Sequence, residues 1–261
     1  MADAAERADL REVVEAQASL RGTPSHEAPL DSEALKGERV IVHETTGEGW
    51  CRGTLEADGY AGWLPAHALA APGPAATHKV AVARTLVFPA PSIKLPPLEA
   101  LSLGARLAIA RIEEPFAITH SGGYVPARHL ARNDAFASDP VAVAEQFLHM
   151  PYLWGGKTSL GLDCSALVQI ALTACGLPCP RDSHMQEAAL GAPLSGIADC
   201  RRGDLLFWKG HVAIARDDRT LIHANAFHMA VAIEPIAETL ARIAAGGSAL
   251  TSVRRLAAAA P

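Results

Sequence analysis

Two stretches in the first half of the chain echo each other, and the echo restricts the fold more than any single residue does. Glu33-Ala34-Leu35-Lys36-Gly37-Glu38-Arg39-Val40 returns as Glu99-Ala100-Leu101-Ser102-Leu103-Gly104-Ala105-Arg106-Leu107. Gly59-Tyr60-Ala61-Gly62-Trp63-Leu64-Pro65-Ala66-His67 is echoed by Gly122-Gly123-Tyr124-Val125-Pro126-Ala127-Arg128-His129. Self-similarity of this kind predicts two copies of one small unit. Between the anchors lie short alternating runs, such as Val40-Ile41-Val42-His43-Glu44 and Trp50-Cys51-Arg52-Gly53-Thr54-Leu55, punctuated by Gly, Asp and Pro. Period-two alternation between turns predicts strands, so each copy reads as a small all-β barrel. Ala71-Pro72-Gly73-Pro74-Ala75 marks the join.

After Asp134 the pattern changes. Asp139-Pro140 supplies an N-cap acceptor and a first-turn proline, and predicts a helix through Val141 to His149. Cys164 to Cys175 reads as a second helix, stopped by Gly176 and Pro178. Asp204 to Trp208, His211 to Ala215, Leu221 to Ala224 and Met229 to Glu234 are spaced like adjacent strands. Helices first and an antiparallel sheet after make an α+β domain. The expected division is an N-terminal segment 1–13, barrels over 14–74 and 75–133, and the α+β domain over 134–261.

Composition narrows the function. Of 261 residues, 23 are basic and 28 acidic, a formal charge of -5, so no basic field gathers a phosphate backbone and nucleic acid is not expected as a partner. No run approaches the roughly 18 apolar residues of a membrane span, and no membrane partner is expected. Residues 1–10 lack a basic and then apolar leader pattern, which points to a cytoplasmic location. The five cysteines are odd in number and scattered, unlike a disulfide framework. Cys175 and Cys179 have no second Cys or His pair at zinc-like spacing, so no metal is expected.

One cysteine has a setting suited to chemistry. Cys164 opens an apolar helical run after Gly155, Gly156 and Gly161, where unpaired N–H groups and the helix dipole favour an anion and offer an oxyanion hole. A buried structural thiol is the alternative for any cysteine. His211 begins a strand-like run and His223 follows at a hairpin's distance, so one imidazole can exchange protons while the other orients it. Asp163 beside the thiol opposes thiolate formation. Two roles stay open for it: a helix cap, and a reader of positive charge on a substrate.

These residues resemble a known family, the NlpC-type (NlpC/P60) cell-wall cysteine peptidases, a papain-like group that cleaves bacterial peptidoglycan stem peptides. The resemblance spans roughly residues 134–256. It rests on Pro151-Tyr152-Leu153-Trp154-Gly155-Gly156, Leu162-Asp163-Cys164-Ser165, Pro180-Arg181-Asp182-Ser183, Arg202-Gly203-Asp204-Leu205-Leu206-Phe207, Gly210-His211-Val212-Ala213-Ile214 and Ile222-His223-Ala224. It implies an α+β papain-like catalytic domain, helices packed on an antiparallel sheet, preceded by two small all-β SH3-like barrels. By the same likeness Cys164 is the nucleophile, His211 the general base and acid, and His223 the residue that orients His211, with Tyr152 lining the site.

The paired barrels resemble those of the γ-D-glutamyl-diamino-acid endopeptidases, whose first barrel helps to bind the free amine of an N-terminal L-alanine. Asp163, Glu38 and Tyr60 match the amine-binding positions, while Ser165, Asp182 and Ser183 match positions that contact the peptide backbone or the D-glutamyl group. Glu44 rivals Glu38 for its role, and Tyr60 has barrel packing as its alternative. Ala166 stands where the family carries glycine, and Leu153 and His184 occupy variable positions.

The resemblance implies a cytoplasmic endopeptidase on murein stem peptides, L-Ala-γ-D-Glu-diamino acid, in peptidoglycan recycling, with no metal or organic cofactor. Diaminopimelate and lysine both remain open as the diamino acid. The alternatives are a thiol amidase or acyltransferase on another substrate, and a non-catalytic wall-fragment-binding protein.

Overall fold

Alternation of buried and exposed side chains builds the first part of the chain. The computed structural model describes residues 9–257 and divides into two units, 1–135 and 136–261. In the first unit, β1 (Asp9–Val13), β2 (Gln17–Arg21), β3 (Leu30–Leu35), β4 (Arg39–Thr45), β5 (Trp50–Leu55), β6 (Ala61–Pro65) and β7 (Leu69–Ala70) pair antiparallel in the order β3-β2-β6-β5-β4-β1-β7. Their inward positions, among them Val13, Leu20, Val40, Leu55 and Leu64, form one core. The division made from sequence needs a correction here: β1 pairs with β4 and β7, so residues 9–13 belong to the first sheet rather than to a separate segment. The rest of that segment, 1–8, lies outside the described residues.

The second copy comprises β8 (His78–Val80), β9 (Arg84–Val87), β10 (Glu99–Ser102), β11 (Arg106–Leu107), β12 (Ile109–Glu113), β13 (Phe116–Thr119), β14 (Tyr124–Pro126) and β15 (Leu130–Arg132). Its strands form three small sheets around a core that includes Val80, Val87, Leu101, Leu107 and Val125. The repeated motif has one structural meaning in both copies. Pro65 and Pro126 each end a strand and lead into a single 3-10 turn, Ala66–Ala68 and Ala127–His129, before the next strand.

In the second unit, α1 (Pro140–Glu145) starts where Asp139 Oδ1 accepts the Val141 N–H at 2.9 Å. It stops four residues short of the expected end. The His149 backbone turns left-handed (φ 69°) and its N–H joins the Val231 carbonyl, and Pro151 then bars any return to helix. Next come β16 (Lys157–Thr158) and β17 (Gly161–Leu162), a short hairpin leading into α2 (Cys164–Ala174). Gly176 and Leu177 close α2 by donating to the Thr173 and Leu172 carbonyls, a Schellman motif.

The remaining elements are α3 (Ser183–Ala189), β18 (Ala192–Pro193), β19 (Leu205–Trp208), β20 (His211–Ala215), β21 (Thr220–Asn225), β22 (Ala230–Pro235), α4 (Ile236–Ala245) and β23 (Leu250–Arg255). The sheet order is β18-β23-β19-β20-β21-β22. Contrary to the expected order, α4 follows the fifth strand, and β23 returns to insert between β18 and β19. β19 is buried along its whole length because the sheet is covered on both faces. α2 packs on β20 and β21, while Leu240 and Ile243 of α4 join Leu206, Trp208, Ala213 and Leu221 in a core. No described helix is long and apolar enough to cross a membrane.

Candidate active site

The loop ahead of α2 is folded by close backbone contact. A Cβ on Gly156 would meet the Gly161 carbonyl oxygen at 2.4 Å, so only glycine lets the two strands of the hairpin approach. That approach sets Asp163 as the N-cap of α2. Its Oδ1 accepts from the Ala166 N–H (2.8 Å), the Ser165 hydroxyl (3.1 Å) and Arg181 Nη1 (2.9 Å), and its Oδ2 accepts from the Gly155 N–H (3.0 Å) and Arg181 Nη2 (2.8 Å). The carboxylate is therefore cap, loop anchor and one half of a buried fork-to-fork ion pair. Arg181 also donates to Ser165 Oγ at 2.9 Å, which draws Ser165 into the same cluster.

Cys164, the first residue of α2, is buried, and the backbone N–H groups of Ser165 and Val212 reach its sulfur. The thiol thus lies at the peptide that follows His211. Burial pushes the thiol pKa up to about 11, with Asp163 adding to the rise, against the two N–H groups and Arg181. Desolvation outweighs the helix terminus, so the thiol rests protonated and must lose its proton as it attacks. Tyr152 is held by its N–H on the Met229 carbonyl, and its phenol is pushed up to about 12 by burial and by the neighbouring Cys164 and Asp163. It remains a hydrogen-bond donor across neutral pH.

His211 and His223 stand together, as expected from the hairpin spacing. His211 Nε2 lies 2.8 Å from His223 Nδ1, on rings whose centroids are 5.0 Å apart. His223 Nε2 lies 2.6 Å from Glu234 Oε2, which also accepts from Arg242 Nη2 at 2.6 Å. Burial brings the His211 imidazole down to about 3, with help from His223 and Arg242, and lowers His223 as well. A neutral imidazole can serve as general base.

This burial has a pH signature. Unfolded, the two histidines take up protons below about pH 6.5, whereas in the folded protein both are lowered, His211 to about 3. The unfolded state then binds more protons, so stability falls as pH drops from 6.5 toward 3 and is unaffected by these groups above 6.5. His78 in the first unit, also lowered by burial, acts in the same direction. The thermal midpoint is expected to fall between pH 7 and pH 5, and to fall less in His211→Asn.

The other expected residues are placed as follows. Asp182 and Ser183 are half-buried at the start of α3, and Gln186 of that helix donates to the Ser165 and Pro180 carbonyls at 2.9 and 2.8 Å, tying α3 to the base of α2. Glu38 and Tyr60 belong to the first unit. Glu38 is buried in the turn between β3 and β4, where Oε2 accepts the Leu35 N–H at 2.7 Å, whereas Glu44 is exposed. Tyr60 packs against the first core. Arg181 and Glu234 had no assigned role in the sequence reading, although both bear directly on the expected residues.

Residues 149–243 match the NlpC/P60 family, and residues 20–69 match the bacterial dipeptidyl-peptidase Sh3 domain. The chain joins an NlpC/P60 domain of papain-like fold to a bacterial SH3-like region. Among similar proteins, the dipeptidyl-peptidase 6 of Lysinibacillus sphaericus is 38% identical over 101 residues, 38% of this chain and 36% of that protein. The γ-D-glutamyl-L-lysine dipeptidyl-peptidase of Bacillus subtilis (strain 168) is 28% identical over 81% of this chain and 77% of its own length. The crystal structure of an NlpC/P60 family protein from Bacillus cereus ATCC 10987 shares the fold with a TM-score of 0.81 at 20% identity, covering 95% of this chain and 99% of that one.

Proposed function

We propose that the protein is a cysteine endopeptidase that hydrolyses the bond between the γ-carboxyl of D-glutamate and the diamino acid in murein stem peptides bearing a free N-terminal L-alanine. The observation that carries this reading is the buried Cys164 thiol at the start of α2, backed by the hydrogen-bonded pair His211 and His223. Cys164 attacks the γ-carbonyl as its proton passes to His211, giving a tetrahedral oxyanion within reach of N–H groups at the helix terminus. His211 returns the proton to the leaving amine, and a thioester to the γ-carboxyl of L-Ala-D-Glu remains. Water, deprotonated by His211, releases the dipeptide, and the proton returns to the sulfur. Tyr152 donates toward the reacting carbonyl.

The substrate assignment is supported by the γ-D-glutamyl-L-lysine dipeptidyl-peptidases that align along most of the chain. Asp163 reads the alanine amine, and Ser165, Asp182 and Ser183 contact the peptide. A free alanine amine exists only once the stem has left the glycan, so the substrate is a released peptide and the role is in recycling.

Comparison of L-Ala-γ-D-Glu-diamino acid with its N-acetyl form tests this reading. Acetylation removes one charge-assisted contact of ~1.5–3 kcal/mol and is expected to lower kcat/KM about 10- to 100-fold. Equal rates on both peptides would refute amine recognition.

A further inference from the structure

The chain of hydrogen bonds behind the thiol does not end at the second histidine. A carboxylate only accepts, so Glu234 Oε2, 2.6 Å from His223 Nε2, requires the proton of His223 to sit on Nε2. Nδ1 of the neutral ring then carries a lone pair, and at 2.8 Å it accepts the Nε2–H of His211. That leaves His211 Nδ1 as the basic nitrogen of the pair. Register makes the arrangement possible: His223 lies opposite Ala232 on β22, and Glu234, two residues further, lies on the same face.

The carboxylate is itself held from several directions. Arg242 of α4 donates to Oε2 at 2.6 Å, and His228 Nε2 lies 3.3 Å from Oε1. The turn that carries His228 is fixed by its N–H on Asn225 Oδ1 at 2.8 Å. The Arg242 guanidinium also covers the Phe227 ring at 4.3 Å. The charged and titratable groups around the relay are thus Glu234, Arg242, His228 and the two imidazoles, with Asp163, Arg181 and Tyr152 around the thiol.

We infer that Glu234 is a positioning residue for the thiol chemistry: through His223 it keeps the basic nitrogen of His211 available and offsets the charge that His211 gains, while Arg242 opposes it and sets the strength of that base. Glu234 touches neither the thiol nor the substrate. When the Cys164 proton moves to His211 Nδ1 the proton count of the site is unchanged, and Glu234 stabilises the resulting imidazolium across one intervening ring, as the aspartate of a Ser-His-Asp triad does directly.

The inference rests on the proposed role of Cys164 but not on any substrate, so the test uses none. The rate of iodoacetamide alkylation of Cys164 at pH 7 is read by mass spectrometry of the peptide that contains it. Glu234→Gln is expected to slow alkylation several-fold, because the ion pair of thiolate and imidazolium loses its counter-charge. Arg242→Gln is expected to speed it several-fold, because an opposing charge is gone. Rates within twofold of the unsubstituted protein for both, or a change in the same direction for both, would overturn the inference, since a merely structural disturbance has no reason to act with opposite signs. Nitrogen-15 NMR of the histidine-labelled, unsubstituted protein provides a readout that needs no variant. Protons on Nε2 of both His211 and His223 support the relay, and a proton on His223 Nδ1 overturns it.

Discussion

Cys164→Ala is expected to lower kcat on a γ-D-glutamyl tripeptide by at least ~10⁴-fold, the scale seen when a catalytic nucleophile is deleted. The thermal midpoint should move little, because the exchange removes a single buried sulfur whose hydrogen bonds come from the Ser165 and Val212 backbone N–H groups. Cys164→Ser separates nucleophilicity from shape. The hydroxyl retains the hydrogen bonds from the Ser165 and Val212 N–H groups, yet it is a far weaker acid than the thiol. His211, held down to about 3 by burial, is too weak a base to offset that. Both variants should therefore be folded and inactive in steady-state kinetics.

Arg181→Met is expected to destabilise the protein by about 3–5 kcal/mol, a large share of the ~5–15 kcal/mol that holds a domain folded. The Arg181 and Asp163 side chains are only 1% and 11% exposed, so removing the guanidinium strands a carboxylate in a site with little water to replace it. Asp163 keeps its hydrogen bonds to Gly155, Ala166 and Ser165, but no longer has its counter-charge. Denaturant unfolding of Arg181→Met, Asp163→Asn and the double variant checks this. The double variant should recover part of the loss, the mark of direct coupling between two side chains. A second consequence follows for chemistry. Without Arg181 the remaining negative charge raises the thiol pKa further, so alkylation of Cys164 slows even where the variant is folded.

The parts of this fold legible in the sequence were those with a local pattern. β20 runs from His211 to Ala215 as expected, and the neighbouring strands differ from expectation by one residue, β19 at one end and β21 at both. Alternation and turns are short-range signals, and α2 announced itself by an N-cap aspartate, an apolar run and a terminal glycine. α4 also carried a usable signal, since Ile236, Leu240 and Ile243 recur at helical spacing and face the core. β23 had none: it pairs with β19 more than forty residues earlier, and no local pattern marks where it inserts.

The candidate site divides along the same line. Cys164, His211 and His223 were visible as residue types at element starts and strand spacings. Asp163 was visible as a neighbour, with cap and substrate reader both open. The structure adds Arg181, whose guanidinium is paired with Asp163 across 18 positions of sequence, so the carboxylate has a resident cation before any substrate amine arrives. Glu234 was hidden for a different reason: its place behind His223 depends on the register of β21 against β22, and a one-residue slip would turn it to the other face. Glu38 caps its own turn, a local use that its sequence motif did not reveal.

The central claim is that hydrolysis passes through a thioester between Cys164 and the γ-carboxyl of D-glutamate. Turnover of L-Ala-γ-D-Glu-diamino acid in the presence of hydroxylamine, followed by mass spectrometry of the products, tests it most directly. The account predicts that L-Ala-D-Glu γ-hydroxamate appears at the expense of L-Ala-D-Glu, and that neither product forms with Cys164→Ala. Hydrolysis with no hydroxamate, or hydroxamate formed equally well by Cys164→Ala, would contradict it.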